Sequence, residues 1–344
     1  MKIADENIIN LIRSSALNNV DCFITPDSSP TAGELLTAAE AIDGKTAIII
    51  PGKLSLSGIF SSVGDDYGTD DYGTKESFNK KVSFCPSHFL SSPEMWHEFD
   101  KNNINHFMIT NAELIKRTEY GFSRDLKRFC DLRASVANHI NLTAIFSCAA
   151  FLNEEKTVSL FGGNEAIAVG SFMPKLNGLK SRDINTKLMF VENRLKIIPR
   201  GAIICSTRRE AEIMSDFLRR KNIQNILFHG GIDDRKKKKS LIYLSEGEPI
   251  HIVATKSIFR FAPFLPDYDV LCFGLPYSVS HAARILSLTH GKSDTLDCIF
   301  TPDDISLMQR LSIGYAKESC PEHADLFAAY RAKALAEVIR LIIG

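Results

Sequence analysis

Apolar residues along the chain fall into short blocks of strand length, and between them runs of helical periodicity alternate with polar loops. A helix near Glu6 to Ser15 leads into the strand DCFIT, the loop PDSSPTAG, the helix ELLTAAEAI and the strand KTAIIIP. Such a strand–loop–helix–strand unit builds a parallel sheet. Further strands are predicted at KVSFC, NHFMIT, LTAIFSCAAF and TVSLFGG, with a helix over SPEMWHEFDKN. After a connector at Pro174 to Arg182 the pattern restarts with the strand GAIICS, the helix REAEIMSDFLRRKN, the strand NILFHGG, the helix DRKKKKSLIYLSEG and the strands HIVAT and DVLCFGLP. These strands are apolar on both faces, as a helix-covered parallel sheet requires. The stretch from Ile305 to Gly344 reads as amphipathic helix and is expected to pack across the lobes. The pattern thus predicts an α/β chain in three parts: residues 1–174, 175–304 and a C-terminal helical segment, 305–344.

At 344 residues, 44% hydrophobic and 24% charged, the chain is long enough for two globular domains, and disordered and fibrous classes are excluded. No apolar run reaches the ~18 residues of a membrane span, and the acidic, amphipathic MKIADENIINLIRSS differs from a basic leader; a cytoplasmic location without membrane contact is expected. The eight cysteines never form a C-x-x-C pair and sit mostly inside apolar runs, so they read as buried thiols. Nine scattered histidines show no metal-ligand spacing, and neither a metal nor a cofactor is expected. The zero net charge hides an asymmetry: up to Gly170 there are 15 Lys+Arg against 22 Asp+Glu, and afterwards 26 against 19. A basic second half suits phosphate contacts and equally suits attraction between the two halves. The tandem DDYGT from Asp65 to Thr74 reads as an acidic exposed loop, and Trp96, three residues before Phe99 on its helix, as core.

The run GAIICSTRREAEIMSDFLRRKNIQNILFHGGIDDRKKKKSLIYLSEGEPIHIVAT resembles the C-terminal RecA-like domain of superfamily-two helicases, RecQ in particular, in its order of strand, Ser/Thr-Arg, helix, His-Gly, helix and Val-Ala-Thr. VGSFMPKLNG resembles that family's connector between lobes, and GLPYSVSHAARI with DCIFTPDDISLMQRL its closing helix and strand. More faintly, DCFITP stands where the strand before the phosphate loop belongs, PGKLSL resembles the Pro-Leu-x-Ser-Leu motif and MITNAEL the Thr-Pro-Glu-Arg-Leu motif. The resemblance implies two RecA-like domains of the P-loop NTPase fold, with parallel sheets flanked by helices.

Every element that would touch nucleotide departs from that family. Hydrolysis needs a Gly-rich loop, a Lys on the β/γ-phosphates, and a Ser/Thr and an Asp on Mg²⁺. At the loop position stands Thr25-Pro26-Asp27-Ser28-Ser29-Pro30-Thr31, with Thr31 in place of the Lys, Pro30 lacking an N–H and Asp27 adding negative charge. The Asp-Glu-Ala-His box falls on Phe146-Ser147-Cys148-Ala149, which leaves neither metal ligand nor base. The aromatic-rich loop has no room between Phe151 and Thr157, and Gly162-Gly163 replaces the Thr-Ala-Thr motif as a turn. The arginine-finger segment reads Arg284 to Gly291 without arginines at the expected spacing; Phe259 and Phe261 replace glycines, and Asp5 the adenine-reading glutamine. No alternative catalytic residues are identified, so the chain is expected not to be an enzyme.

Nucleic acid is a different matter, because backbone amides, hydroxyls and a few cations position a phosphate chain without reading sequence. By matching motif the candidates are Gly52, Lys53 and Ser55, Thr110, Ser206, Thr207 and Arg208, His229 and Gly230, and Thr255; Lys236 and Lys237 join them from the run Arg235 to Lys239. Each has a plain structural reading beside it: Ser206 and Thr207 as helix caps, His229 as a turn residue, Lys53 and the lysine run as solvated charge. The expected function is an inactive RecQ-like pseudo-helicase that binds single-stranded or forked DNA as an accessory factor, together with a protein partner. The alternative is a protein–protein scaffold that binds neither ATP nor nucleic acid.

Overall fold

A computed structural model of the chain describes residues 1–27, 30, 32–50, 80–86, 92–113, 124–136, 140–149, 155–163, 165–233, 235–237, 239–240, 250–260, 268–289, 293–319, 321 and 324–343. The chain divides into two compact units, Met1–Met173 and Pro174–Gly344.

In the first unit the order is α1 (Glu6–Leu17), β1 (Asp21–Ile24), α2 (Ala32–Glu40), β2 (Lys45–Ile50), β3 (Val82–Pro86), α3 (Pro93–Lys101), β4 (Ile104–Ile109), α4 (Arg124–Val136), β5 (Asn141–Ile145), α5 (Glu155–Leu160) and β6 (Ala166–Val169). The strands form one parallel sheet in the order β3-β2-β4-β5-β1-β6. Alternate residues of each strand enter two different cores, as the two-residue period dictates. Phe23, Ala47, Ile49, Phe107 and Ala144 face the cluster under α3 and α4, whereas Cys22, Ile24, Ile48, Met108 and Ile145 face that under α1 and α2. Trp96 packs edge-on against Phe99 and lies within 6 Å of Phe107 and Phe129, as expected of a core residue. Across the second face runs a polar row: Thr46 and His106 are register partners, and His106 Nε2 lies 2.9 Å from Thr143 Oγ1.

The second unit contains β7 (Lys175–Lys180), α6 (Ile184–Leu195), β8 (Gly201–Cys205), α7 (Arg208–Arg220), β9 (Asn225–Phe228), β10 (His251–Ala254), a 3₁₀ turn (Lys256–Arg260), β11 (Asp269–Phe273), α8 (Val279–Ser287), β12 (Thr295–Phe300), α9 (Pro302–Ser319) and α10 (Ala324–Ile343). Its sheet is also parallel, in the order β7-β12-β11-β8-β10-β9. Ile203, Cys205, Val253, Phe273 and Ile299 make a core with Leu188, Val191 and Leu195 of α6 and Ala211, Met214 and Leu218 of α7.

Several elements differ from the pattern-based expectation. Residues 157–163 form the end of α5 and a turn, in which Gly162 has φ +70°, and the strand is β6 instead. The connector at Pro174 to Arg182 contains β7, an edge strand paired along its whole length with β12. Within the second unit, Leu335 of the closing helices shares a cluster with Leu275, Phe300 and Met308, and Gly178 of β7 admits Ile342 so closely that a Cβ there would clash. Among the described residues no helix is long and apolar enough to cross a membrane. The seven cysteines described are buried and unpaired by disulfides.

Candidate nucleic-acid interface

The second sheet places its candidate residues by register. Ile204, Ala254 and Phe228 are partners on adjacent strands, so β10 and β9 end level and β8 one residue later, and Ser206, Thr255 and His229 emerge at the same edge. The chain leaves β8 toward β9 on one side and returns through β11 on the other, which makes this carboxyl edge a topological switch point, where open parallel sheets bind ligands.

Thr207 is the N-cap of α7 in a complete capping box: its Oγ1 accepts from the Glu210 amide at 3.1 Å and donates to Glu210 Oε2 at 3.0 Å, while the Thr207 amide donates to the same carboxylate. Its hydroxyl is thereby consumed locally. Burial holds the Glu210 carboxyl above its usual range, opposed by the Lys187 ammonium and the Thr207 bonds. Arg208, next along, is exposed, and its guanidinium lies against the following turn: a Cβ on Gly230 would sit 3.2 Å from Nη2. Glycine at 230 keeps that seat open.

His229 is buried; its Nδ1 accepts from the Gly231 amide at 3.1 Å and its Nε2 lies 3.3 Å from Glu212 Oε1. Burial pushes its pKa down, with Glu212 opposing and Arg208 and Lys237 assisting, which favours the neutral ring, and the Gly231 amide on Nδ1 favours the tautomer with its proton on Nε2. Thr255 is buried, its amide bonded to the Phe228 carbonyl and its hydroxyl 3.1 Å from that of Ser257. Lys236 is exposed, whereas Lys237 is buried close to His229. The structure therefore gathers Ser206, Arg208, His229, Gly230 and Thr255 on one edge, with Arg208 facing solvent; Lys236 is exposed a few residues beyond His229.

In the first unit Thr110 follows β4, buried, with its amide on the Ile49 carbonyl. Gly52, Lys53 and Ser55 lie outside the described residues, as do Ser28, Ser29 and Thr31 of the phosphate-loop position. What is described there has its backbone donors committed: the Thr25 amide binds the Val169 carbonyl, Pro26 has none, and the Asp27 amide binds the Met1 carbonyl. Phe146, where the box would begin, is buried and packs edge-on against Phe23 and Phe161. Ser147 turns to Glu113, whose carboxylate accepts from its hydroxyl at 2.7 Å and its amide at 3.2 Å. Glu113 was not singled out from the sequence, although a carboxylate one turn beyond β4 is the signal. Arg284, in the finger segment, lies 5.1 Å over the Phe259 ring. Among the described residues no three His, Cys, Asp or Glu side chains gather as a metal site.

No protein-family model matches the chain, and no curated protein matches it. Solved structures do. The DEAD-box helicase Mss116, bound to ssRNA and UDP-BeF, aligns over 92% of this chain and 72% of its own at TM-score 0.62 and 15% identity. The fold is that of a two-lobed helicase core. The DUF1998 helicase MrfA, bound to DNA and AMPPNP, aligns over 88% of this chain at TM-score 0.58 and 14% identity; the chain spans 49% of MrfA. Dbp5 of S. cerevisiae, bound to RNA and ADP BeF3, aligns over 87% of this chain and 86% of its own at TM-score 0.55 and 11% identity. Each unit of the helicase-fold chain is thus a RecA-like α/β domain, the second closing with helices α9 and α10.

Proposed function

We propose that this helicase-fold chain is a catalytically inactive, RecQ-like, cytoplasmic protein that binds single-stranded or forked DNA without nucleotide, as an accessory factor in replication, repair, mobile-element or defence complexes. The reading is carried by the carboxyl edge of the second sheet, where exposed Arg208 lies against Gly230 and Ser206, Thr255 and His229 emerge from adjacent strands. Mss116, MrfA and Dbp5 are described with ssRNA, DNA and RNA bound, which supports nucleic acid as the ligand class for this fold. Inactivity is supported by the first unit, where Phe146 fills the box position with a buried ring and the amides of Thr25 and Asp27 are bonded within the protein. Among the described residues of that loop a phosphate group would find few donors. Accessory action implies a protein partner, for which the two oppositely charged halves supply the means.

The test is a fluorescence titration of labelled single-stranded, duplex and forked DNA at low and moderate salt, with and without Mg-ATP. Binding that weakens with salt and ignores Mg-ATP is expected. Absence of binding to every substrate at low salt overturns the reading in favour of the protein scaffold, and ATP turnover overturns the inactivity.

A further inference from the structure

Helix α6 turns charged residues inward and apolar ones outward. Its buried face holds Lys187, Leu188, Val191, Glu192 and Leu195, whereas Met189 and Phe190 are 59% and 37% exposed. Ile197, whose amide closes the last turn on the Arg194 carbonyl, is 78% exposed. Phe190, Arg194 and Ile197 follow one another at spacings of four and three, so they share one stripe, with Met189 beside Phe190. Helix α7 packs next to α6 through their common core and the Lys221–Glu192 pair at 3.3 Å, and it adds Ile213, 40% exposed.

Burying an ammonium and a carboxylate requires partners, which the fold supplies. Lys187 Nζ lies 3.1 and 3.0 Å from the Asp304 oxygens, and Glu192 accepts from Lys196 at 2.7 Å. Met189 and Phe190 gain no burial from this arrangement in the free protein. Local rules of burial are broken chiefly at functional sites, and an exposed apolar patch with a polar rim marks a docking surface for protein. An unbranched methionine suits such a surface because it adapts to its partner.

The rim is cationic. Lys180 and Arg182 stand exposed before the helix, and Arg194, Lys196 and Lys221 around its end. Against these five stand three carboxylates, each already engaged: Asp183 caps α6 through the Thr186 amide, Glu192 holds Lys196 and Lys221, and Asp297 holds Asn177 and Arg194. A second copy on the same face would set these cations against themselves. A polyanion would meet cations shared with carboxylates and aliphatic side chains that offer it nothing.

We propose that α6, with Ile197 and Ile213, docks a segment of a partner protein that presents apolar side chains flanked by aspartate and glutamate. This rests on the partner half of the reading above and gives that partner a place and a chemistry.

The experiment pans a displayed library of random short peptides on the full chain, with counter-selection on its Met189→Asp, Phe190→Asp double variant. Enriched peptides are expected to carry apolar residues among Asp and Glu and few Lys or Arg. A synthetic copy should lose roughly tenfold or more in affinity for the double variant. Its association with Arg182→Glu should be slower and more weakly salt-dependent. Labelled oligodeoxythymidine should bind wild type and double variant alike. Crosslinking of a benzophenone-bearing copy to wild type is independent of variant folding: adducts on residues 188–197 support the site, and adducts confined elsewhere overturn it. Peptides that bind wild type and double variant equally overturn this face and leave a partner standing, whereas a library from which nothing enriches overturns both. Weaker strand binding by the double variant assigns the face to nucleic acid, and a wild-type dimer that the double variant loses in sedimentation assigns it to a second copy; either overturns the proposal.

Discussion

Lys187 is fully buried on α6, and replacing it by methionine keeps the stem while removing the charge. Its ammonium sits 3.1 and 3.0 Å from the two Asp304 oxygens and 3.7 Å over the Phe273 ring, and its charge opposes the effect of burial on Glu210. Asp304 in turn accepts from the Thr301 amide and hydroxyl at 2.6 and 3.0 Å, so one lysine ties α6, α7, β11 and the start of α9 together. A pair at 3 Å with an effective dielectric near 20 attracts by about 5 kcal/mol, and removing one member of a buried pair costs about 3–5 kcal/mol because the other is left uncompensated. With a urea dependence of about 2 kcal/mol per molar, Lys187→Met should lower the midpoint by roughly 1.5–2.5 M when followed by far-UV circular dichroism. Lys187→Met with Asp304→Asn should recover part of that loss, since the orphaned charge is gone. The only tryptophan, Trp96, belongs to the first unit, so its fluorescence separates damage to the second unit from general unfolding. An unchanged dichroism midpoint in Lys187→Met would refute the reasoning.

Burial pushes the His106 pKa down to about 3 from an ordinary 6.5. The unfolded chain therefore takes a proton that the folded chain refuses, and stability is lost below pH 6.5 at about 1.4 kcal/mol per pH unit. His106→Gln should flatten that part of the pH profile of Trp96-detected unfolding; equal slopes in the two proteins contradict the burial. Thr207→Ala removes the capping box of α7 and should cost about 1 kcal/mol by urea unfolding while leaving strand affinity unchanged, because the hydroxyl is already committed to Glu210. Mg-ATP should give no shift in thermal midpoint, whereas a nucleotide at a hundred times its Kd would add about 2.7 kcal/mol, and a saturable upward shift would contradict the account of the first unit.

Much of this fold was legible as alternation. Strands such as GAIIC and HIVA are buried at every position and read as apolar blocks. The helix at Ile184–Leu195 was missed because its buried face contains Lys187 and Glu192, while Met189 and Phe190 are exposed, so the apolar period points the wrong way until the ion pairs are seen. Residues 157–163 combine a β-branched Thr157-Val158 start with a Gly-Gly end, which suits a strand; tertiary packing of Phe161 makes it a short helix and turn instead. At the candidate edge, Ser206, Arg208, His229 and Thr255 are legible through the motifs of the resemblance; Ser206, His229 and Thr255 each follow a strand directly, and Arg208 opens α7.

The most direct test of nucleotide-independent strand binding at this edge is the salt dependence of single-stranded DNA affinity, without ATP, in wild type and Arg208→Ala. The account predicts a linear fall of log affinity with log salt in the wild type, and a slope shallower by about 0.7 in the variant together with weaker binding at every salt concentration. Identical lines for the two proteins, or no binding by the wild type at low salt, would contradict it.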